Sequence, residues 1–215
     1  MAIGKLMMAV FLFGLAANAA RAEMISIGLS AQVSYIDDRE ELLDGLIDIG
    51  DTVTGSYTYD SDKLDNSLDE RVGAYWHYGG PYGIVLNVGE YVFQTDPENV
   101  EFLLGLYDNY IPDTEDNYLL RSYKNLALSN GVPVLHISWQ LDDYSGTALS
   151  SDALPLGPPV LQDWDYNRGL RIELGVKGDT RITADVTSVW LIPEPATVLL
   201  LGLGALALLG IRRRG

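Results

Sequence analysis

The chemistry open to this chain comes from carboxylates, two histidines, hydroxyls and aromatic rings, because its 215 residues include no cysteine. A thiol nucleophile and a zinc–thiolate site are thereby excluded. The densest acidic stretch is Asp60-Ser61-Asp62-Lys63-Leu64-Asp65-Asn66-Ser67-Leu68-Asp69-Glu70. Loop carboxylates are the ligands Ca²⁺ takes, and Asp60, Asp62 and Asp65 are the candidates for such a site. An EF-hand loop needs an oxygen ligand at its fifth position and glycine at its sixth, where this chain has Leu64 and Asp65. A plain solvated loop is the other reading, and Asp113-Thr114-Glu115-Asp116-Asn117 is a sparser version of it. No other cofactor is expected. The second constellation is Tyr75-Trp76-His77-Tyr78-Gly79-Gly80-Pro81-Tyr82-Gly83. Trp76, Tyr78 and Tyr82 offer flat apolar faces with polar edges, as a sugar platform does, and Trp164 and Tyr166 are rings that could join it. Core and loop packing would use the same rings. His136 and Ser138 share one face of an alternating run, but no GxSxG, HExxH or P-loop pattern accompanies them. Two-carboxylate glycoside hydrolysis is open to any pair among the 30 acidic residues, and no pair stands out by position.

These side chains sit on runs that alternate apolar and polar with period two, the signature of strands with one buried face. Ile25–Tyr35, Leu135–Leu141 and Gly169–Val176 read this way, Val53–Tyr59 is a run rich in β-formers, Gly178-Asp179 turns the chain into Arg181–Val189, and Val100–Tyr107, Tyr118–Tyr123 and Asn125–Leu128 are further candidates. In Leu135–Leu141 the expected inward set is Leu135, Ile137, Trp139 and Leu141. Gly83–Val88 and Tyr91–Gln94 flank Gly89-Glu90, which predicts a two-residue hairpin with glycine at the first position of a type II′ turn. Asp38–Ile47 is the one expected helix, weakened by Gly45. Leu154-Pro155-Leu156-Gly157-Pro158-Pro159 reads as a loop. Many short strands and little helix predict an all-β antiparallel sandwich of jelly-roll kind.

The two ends are apolar. Lys5 precedes the run Leu6–Ala17, and Ala20-Arg21-Ala22 follows with the small-x-small spacing of a signal-peptidase site; Ala17-Asn18-Ala19 is a second option. Residues 1–22 are therefore expected to be a signal peptide, and signal peptidase a partner. At the other end Ala196–Ile211 carries no charge and would span about 24 Å as a helix. Arg212, Arg213 and Arg214 mark its cytoplasmic side, and Trp190 is a candidate interfacial anchor. Between the ends the chain is strongly acidic. Of 30 acidic residues only Glu194 lies outside residues 23–193, against five of the 14 basic ones, which leaves a net charge of about −20. That sign opposes binding to nucleic acid or anionic membranes.

Val189-Trp190-Leu191-Ile192-Pro193-Glu194-Pro195, an apolar helix and a terminal arginine cluster together resemble the PEP-CTERM sorting signal of exported bacterial proteins. The resemblance covers roughly the last 25 residues. It implies that Pro193, Glu194 and Pro195 are recognised by an exosortase, a membrane-embedded enzyme of cysteine-protease type, and that this chain is its substrate. Each proline fixes its own φ and pushes the preceding residue toward extended geometry, a form that a protease cleft accepts. The expected organisation is a signal peptide over 1–22, an extracellular β-sandwich over 23–192 and a sorting signal over 193–215, with its transmembrane helix at 196–211 and basic tail at 212–214. The expected itinerary is export through the inner membrane, anchoring by the C-terminal helix, then delivery to the cell surface or extracellular matrix. The resemblance also implies an exopolysaccharide or biofilm setting. The function expected is that of a non-enzymatic envelope or matrix protein. The alternatives are a lectin-like carbohydrate-binding module and a secreted glycoside hydrolase.

Overall fold

A computed structural model describes residues 24–110 and 115–193. The expected signal peptide with Ala20 and Ala22, the motif residues Glu194 and Pro195, the expected helix over 196–211 and Arg212, Arg213 and Arg214 lie outside the described residues. Among the described residues no helix is long and apolar enough to cross a membrane.

Ten strands carry the fold: β1 Met24–Asp37, β2 Thr52–Asp60, β3 Val72–His77, β4 Gly83–Val88, β5 Tyr91–Gln94, β6 Phe102–Tyr107, β7 Asp116–Ser122, β8 Val134–Asp143, β9 Gly169–Leu174 and β10 Thr180–Leu191. They form one antiparallel sheet in the order β3-β6-β7-β8-β9-β10-β1-β2-β4-β5. The long pair β1 and β10 lets this sheet curl. Its register shifts at Ser30/Ala31 and again at Val33/Tyr35, and extra residues of this kind bend a strand and tighten its twist. The first half of β1 pairs with β2, whereas the first half of β10 pairs with β9. The sheet thus folds back into two layers, β1-β2-β4-β5 and β9-β8-β7-β6-β3, an all-β antiparallel architecture as the alternation predicts.

The core lies between the layers. Tyr57 of β2 packs 5.8 Å from Trp139 of β8, ring to ring, and its hydroxyl pairs with that of Tyr118 at 2.8 Å. Both hydroxyls are fully buried, and burial first of all holds their pKa values well above the ordinary tyrosine value. The pair therefore stays neutral, and each buried polar group has its partner. Thr95 and Ser122 make a second buried cross-layer bond at 2.8 Å.

Four local readings are corrected. Asp38–Ile47 is a series of turns, not a helix. The Asp38 carboxylate accepts the N–H groups of Leu42 and Leu43, and Glu41, Asp44 and Gly45 have positive φ. Leu43 and Ile47 nevertheless reach the core. Asn125–Leu128 makes only an isolated bridge from Asn125 to Thr95. Leu135 is exposed, because the β8–β9 register shifts between Val134 and His136 and Val134 takes the inward place. Finally, β3 is a strand that the aromatic stretch concealed. The predicted hairpin is present, with Gly89 at φ +55° and Glu90 outside the left-handed region.

Candidate functional site

β10 runs directly into the sorting motif. β9 accompanies β10 only as far as Asp185; beyond Val186 its partner is the first half of β1. The Ile192 N–H donates to the Ser26 carbonyl at 2.8 Å, and Pro193 is exposed. Only Pro193, Glu194 and Pro195 separate this strand end from the apolar run in the sequence. Trp190, expected as an interfacial anchor, lies across β1. Its indole covers Gly28, where any Cβ would overlap the ring. It keeps 45% of its surface exposed, beside exposed Leu191 and Ile192. β1 starts at Met24, so the two ends of the body leave from neighbouring strands.

The acidic loop does not gather its carboxylates. Asp60 accepts the N–H of Asp62, and Asp65 accepts those of Ser67 and Ala74. These are local turn-forming bonds, and they turn oxygens toward backbone donors. Asp60, Asp62 and Asp65 are not brought together, and among the described residues no group of three or more acidic or histidine side chains could hold a metal. The buried acids behave alike. Asp116 receives Asn109 N–H and Leu149 N–H at 2.8 and 2.7 Å. Asp143 is fully buried; burial pushes its pKa up, but the N–H groups of Thr147, Ser145 and Ala148 and the Ser145 hydroxyl outweigh this and bring it to about 2.

His77 is a strut rather than a base. Its Nε2 accepts the Asp60 N–H at 3.1 Å, which leaves Nδ1 to donate to the Tyr75 carbonyl at 3.1 Å. This neutral tautomer joins β3 to β2, and burial lowers its pKa.

The aromatic platform is split. Trp164 is buried in the core, edge-on to Tyr118. Tyr166 stacks on Tyr144 at 4.0 Å, and Tyr82 turns to His77. Trp76 and Tyr78 stay together on the outer face, nearly parallel at 6° and 6.1 Å apart. Tyr123, which the sequence did not single out, extends them 5.7 Å from Trp76, and His136, noted in the sequence only beside Ser138, lies 5.2 Å from Tyr123.

This file of rings leads into a groove of about 330 Å³ on the outer face of β7–β10. Arg121, His136, Ser138, Gln140, Arg171 and Arg181 line it, with one carboxylate, Glu173. Glu173 sits 2.5 Å from Arg171 and 4.0 Å from His136. Burial lowers the His136 pKa; Glu173 pulls it up, and Arg121 and Arg171 push it down again. Nε of Arg121, Nε of Arg181 and Nε2 of His136 are buried without a hydrogen-bond partner. An unmade buried polar group costs about 1–3 kcal/mol, so three around one groove are an unusual concentration. The register aligns Trp76, Leu103, Arg121, Ser138, Arg171 and Thr183 in one transverse row across six strands. The alternation of β7 and β9 shows that Arg121 and Arg171 point outward; nothing local shows that they are neighbours in this row.

Residues 191–214 match the family model for the PEP-CTERM protein-sorting motif. No curated protein and no solved structure matches the chain. The match begins at the last residue of β10, on the strand end described above. The chain carries the PEP-CTERM protein-sorting motif, the mark of an exported protein sorted through exosortase to the cell surface or beyond.

Proposed function

We propose that this protein is a non-enzymatic component of the bacterial envelope or exopolysaccharide matrix, delivered by exosortase processing of its tail. The observation that carries this reading is the sorting motif set directly on the end of β10. Signal peptidase removes residues 1–22, the helix 196–211 holds the chain in the membrane until processing, and the acidic body keeps the product soluble and away from nucleic acid. Replacing Glu194 with alanine, or deleting Arg212–Arg214, is expected to leave a larger, membrane-retained form on a blot of fractionated cells. Unchanged size and distribution would reject recognition of the tail.

A lectin-like contact is the second reading, favoured by the exposed parallel rings of Trp76 and Tyr78 continued by Tyr123. Rings presented side by side suit the apolar faces of successive sugars. The full chain is expected to be retained on the producer's own exopolysaccharide and Trp76→Ala to lose retention; no retention of the wild type removes this reading. A glycoside hydrolase would need two facing carboxylates. Supporting the non-enzymatic reading, the groove offers Glu173 alone, held against Arg171. Release of reducing sugar that stops when one acidic residue is neutralised would reverse it.

A further inference from the structure

We infer that the groove on the outer face of β7–β10 is a binding site for an acidic polysaccharide, one whose sugar units carry carboxylates. This deepens the lectin-like reading and rests on it in one respect only: the exported body must meet a glycan.

The argument starts from charge. Residues 24–193 hold nine lysines and arginines against a large acidic excess, and three of the nine, Arg121, Arg171 and Arg181, line this single groove. Only Glu173 opposes them there. A planar guanidinium matches a carboxylate with two parallel donors, which makes arginine the side chain suited to fixed carboxylates on a rigid ligand. Arg171 is held by Glu173 and one Arg121 nitrogen by Tyr123, but other donors are unspent. Nε of Arg121 and of Arg181 are buried without a partner, and His136 Nε2 is in the same condition. These atoms have almost no surface open to solvent, so a ligand oxygen would meet them only after the side chains covering them shift, and Arg171, 47% exposed, is the guanidinium a ligand meets first.

Geometry then selects a chain-like ligand. Trp76, Arg121, Ser138, Arg171 and Thr183 fall on one transverse row, about 24 Å long at about 4.8 Å per strand. Along it, stacking surface at Trp76 gives way to cations spaced by neutral hydroxyls. Gln140 adds an amide beside the row. Tyr123 joins the two parts, since its ring stacks on Trp76 and its hydroxyl accepts from Arg121 Nη1 at 3.4 Å. Alternating hydroxyl, ring and carboxylate recognition is the chemistry of a uronic acid polymer. A polyanion without apolar faces gains nothing from the rings, and its closer charge spacing raises the repulsion from the acidic body.

The test measures binding of the full chain, in mild detergent, to polygalacturonate, to dextran and to linear polyphosphate. Polygalacturonate is expected to bind at least ten-fold more tightly than either of the others, with affinity falling as salt rises. Arg171→Gln and Arg121→Gln together are expected to weaken that binding at least ten-fold while the melting curve keeps its cooperativity. Arg171→Lys should fall between Arg171→Gln and the wild type. Polyphosphate binding as well as polygalacturonate does would overturn the saccharide assignment. Equal binding of polygalacturonate and dextran, lost on Trp76→Ala and untouched by the arginine substitutions, would overturn the groove and leave the ring contact standing. Should neither glycan bind, the groove falls, and retention on the producer's own exopolysaccharide separately decides the lectin-like reading.

Discussion

The two layers of this sandwich turn different side chains to solvent. The layer that leads to the sorting motif exposes Thr52 and Thr54, with Ser56 and Thr58 half-buried, along β2, and lays Trp190 across Gly28 of β1. The opposite layer turns out Trp76, Arg121, His136, Ser138, Gln140 and Arg171. Their inner faces are alike: Tyr57, Leu86 and Phe93 on one side, Leu104, Tyr118 and Trp139 on the other, all buried. The difference teaches that one inward pattern supplies stability to both layers, while the outward positions are free to differ. On the first layer the small hydroxyls of β2, with exposed Val85 and Val92 on β4 and β5, form the surface on the side of the sorting motif. On the second, bulk and positive charge accumulate where a ligand can lie.

Three perturbations break or sharpen this contrast. The largest effect is expected from Trp139→Ala, which empties the interlayer contact with Tyr57 and Tyr118. It should lower stability by about 3–5 kcal/mol. Urea unfolding followed by tyrosine fluorescence and far-UV dichroism should show one shared transition, because the contact belongs to both layers. Two separated transitions would mean that the layers are independent units.

Asp143 comes next, and it acts on the second layer. Its folded pKa of about 2 lies below the ordinary aspartate value of 3.8. A lowered carboxylate pKa stabilises the fold at pH above the unfolded value, and that stability disappears as pH falls through the folded one. The contribution is about 2 kcal/mol, complete above roughly pH 4 and lost by about pH 2. Acid titration of the wild type and of Asp143→Asn should therefore converge toward pH 2. A constant gap between them at all pH values would refute the assignment.

The smallest effect is expected at the end of β10. Ile192→Pro removes the N–H that donates to Ser26, at a cost of about 1 kcal/mol or less. Hydrogen exchange should quicken at Gly28 and Trp190 and stay unchanged in β7–β9. Faster exchange in both layers would show that the strand end is coupled to the distant groove.

Much of this was legible in the chain. The alternation in β1, β2, β9 and β10 announces strands because side-chain direction along a strand is a local property with period two. The sorting motif is legible for a related reason: its parts follow one another in linear order over residues 191–214. The expected helix at 38–47 failed because Asp38 captured two backbone N–H groups, a competition that periodicity does not report. β3 escaped notice because its rings suggested a platform before they suggested a strand. Tyr82 and Trp164 parted from Trp76 because one follows the chain to His77 and the other is drawn into the core.

Reading residues in order was enough to establish the sorting motif, the acidic character of the body and its all-β class, since each depends on composition or on neighbours along the chain. The groove was different. It joins Trp76 to Arg121, Ser138 and Arg171 across strands far apart in sequence, and their alignment comes from strand register. Register is fixed by packing the whole inner face and by where bulges fall, so a shift of one residue would send every one of those side chains to the opposite face.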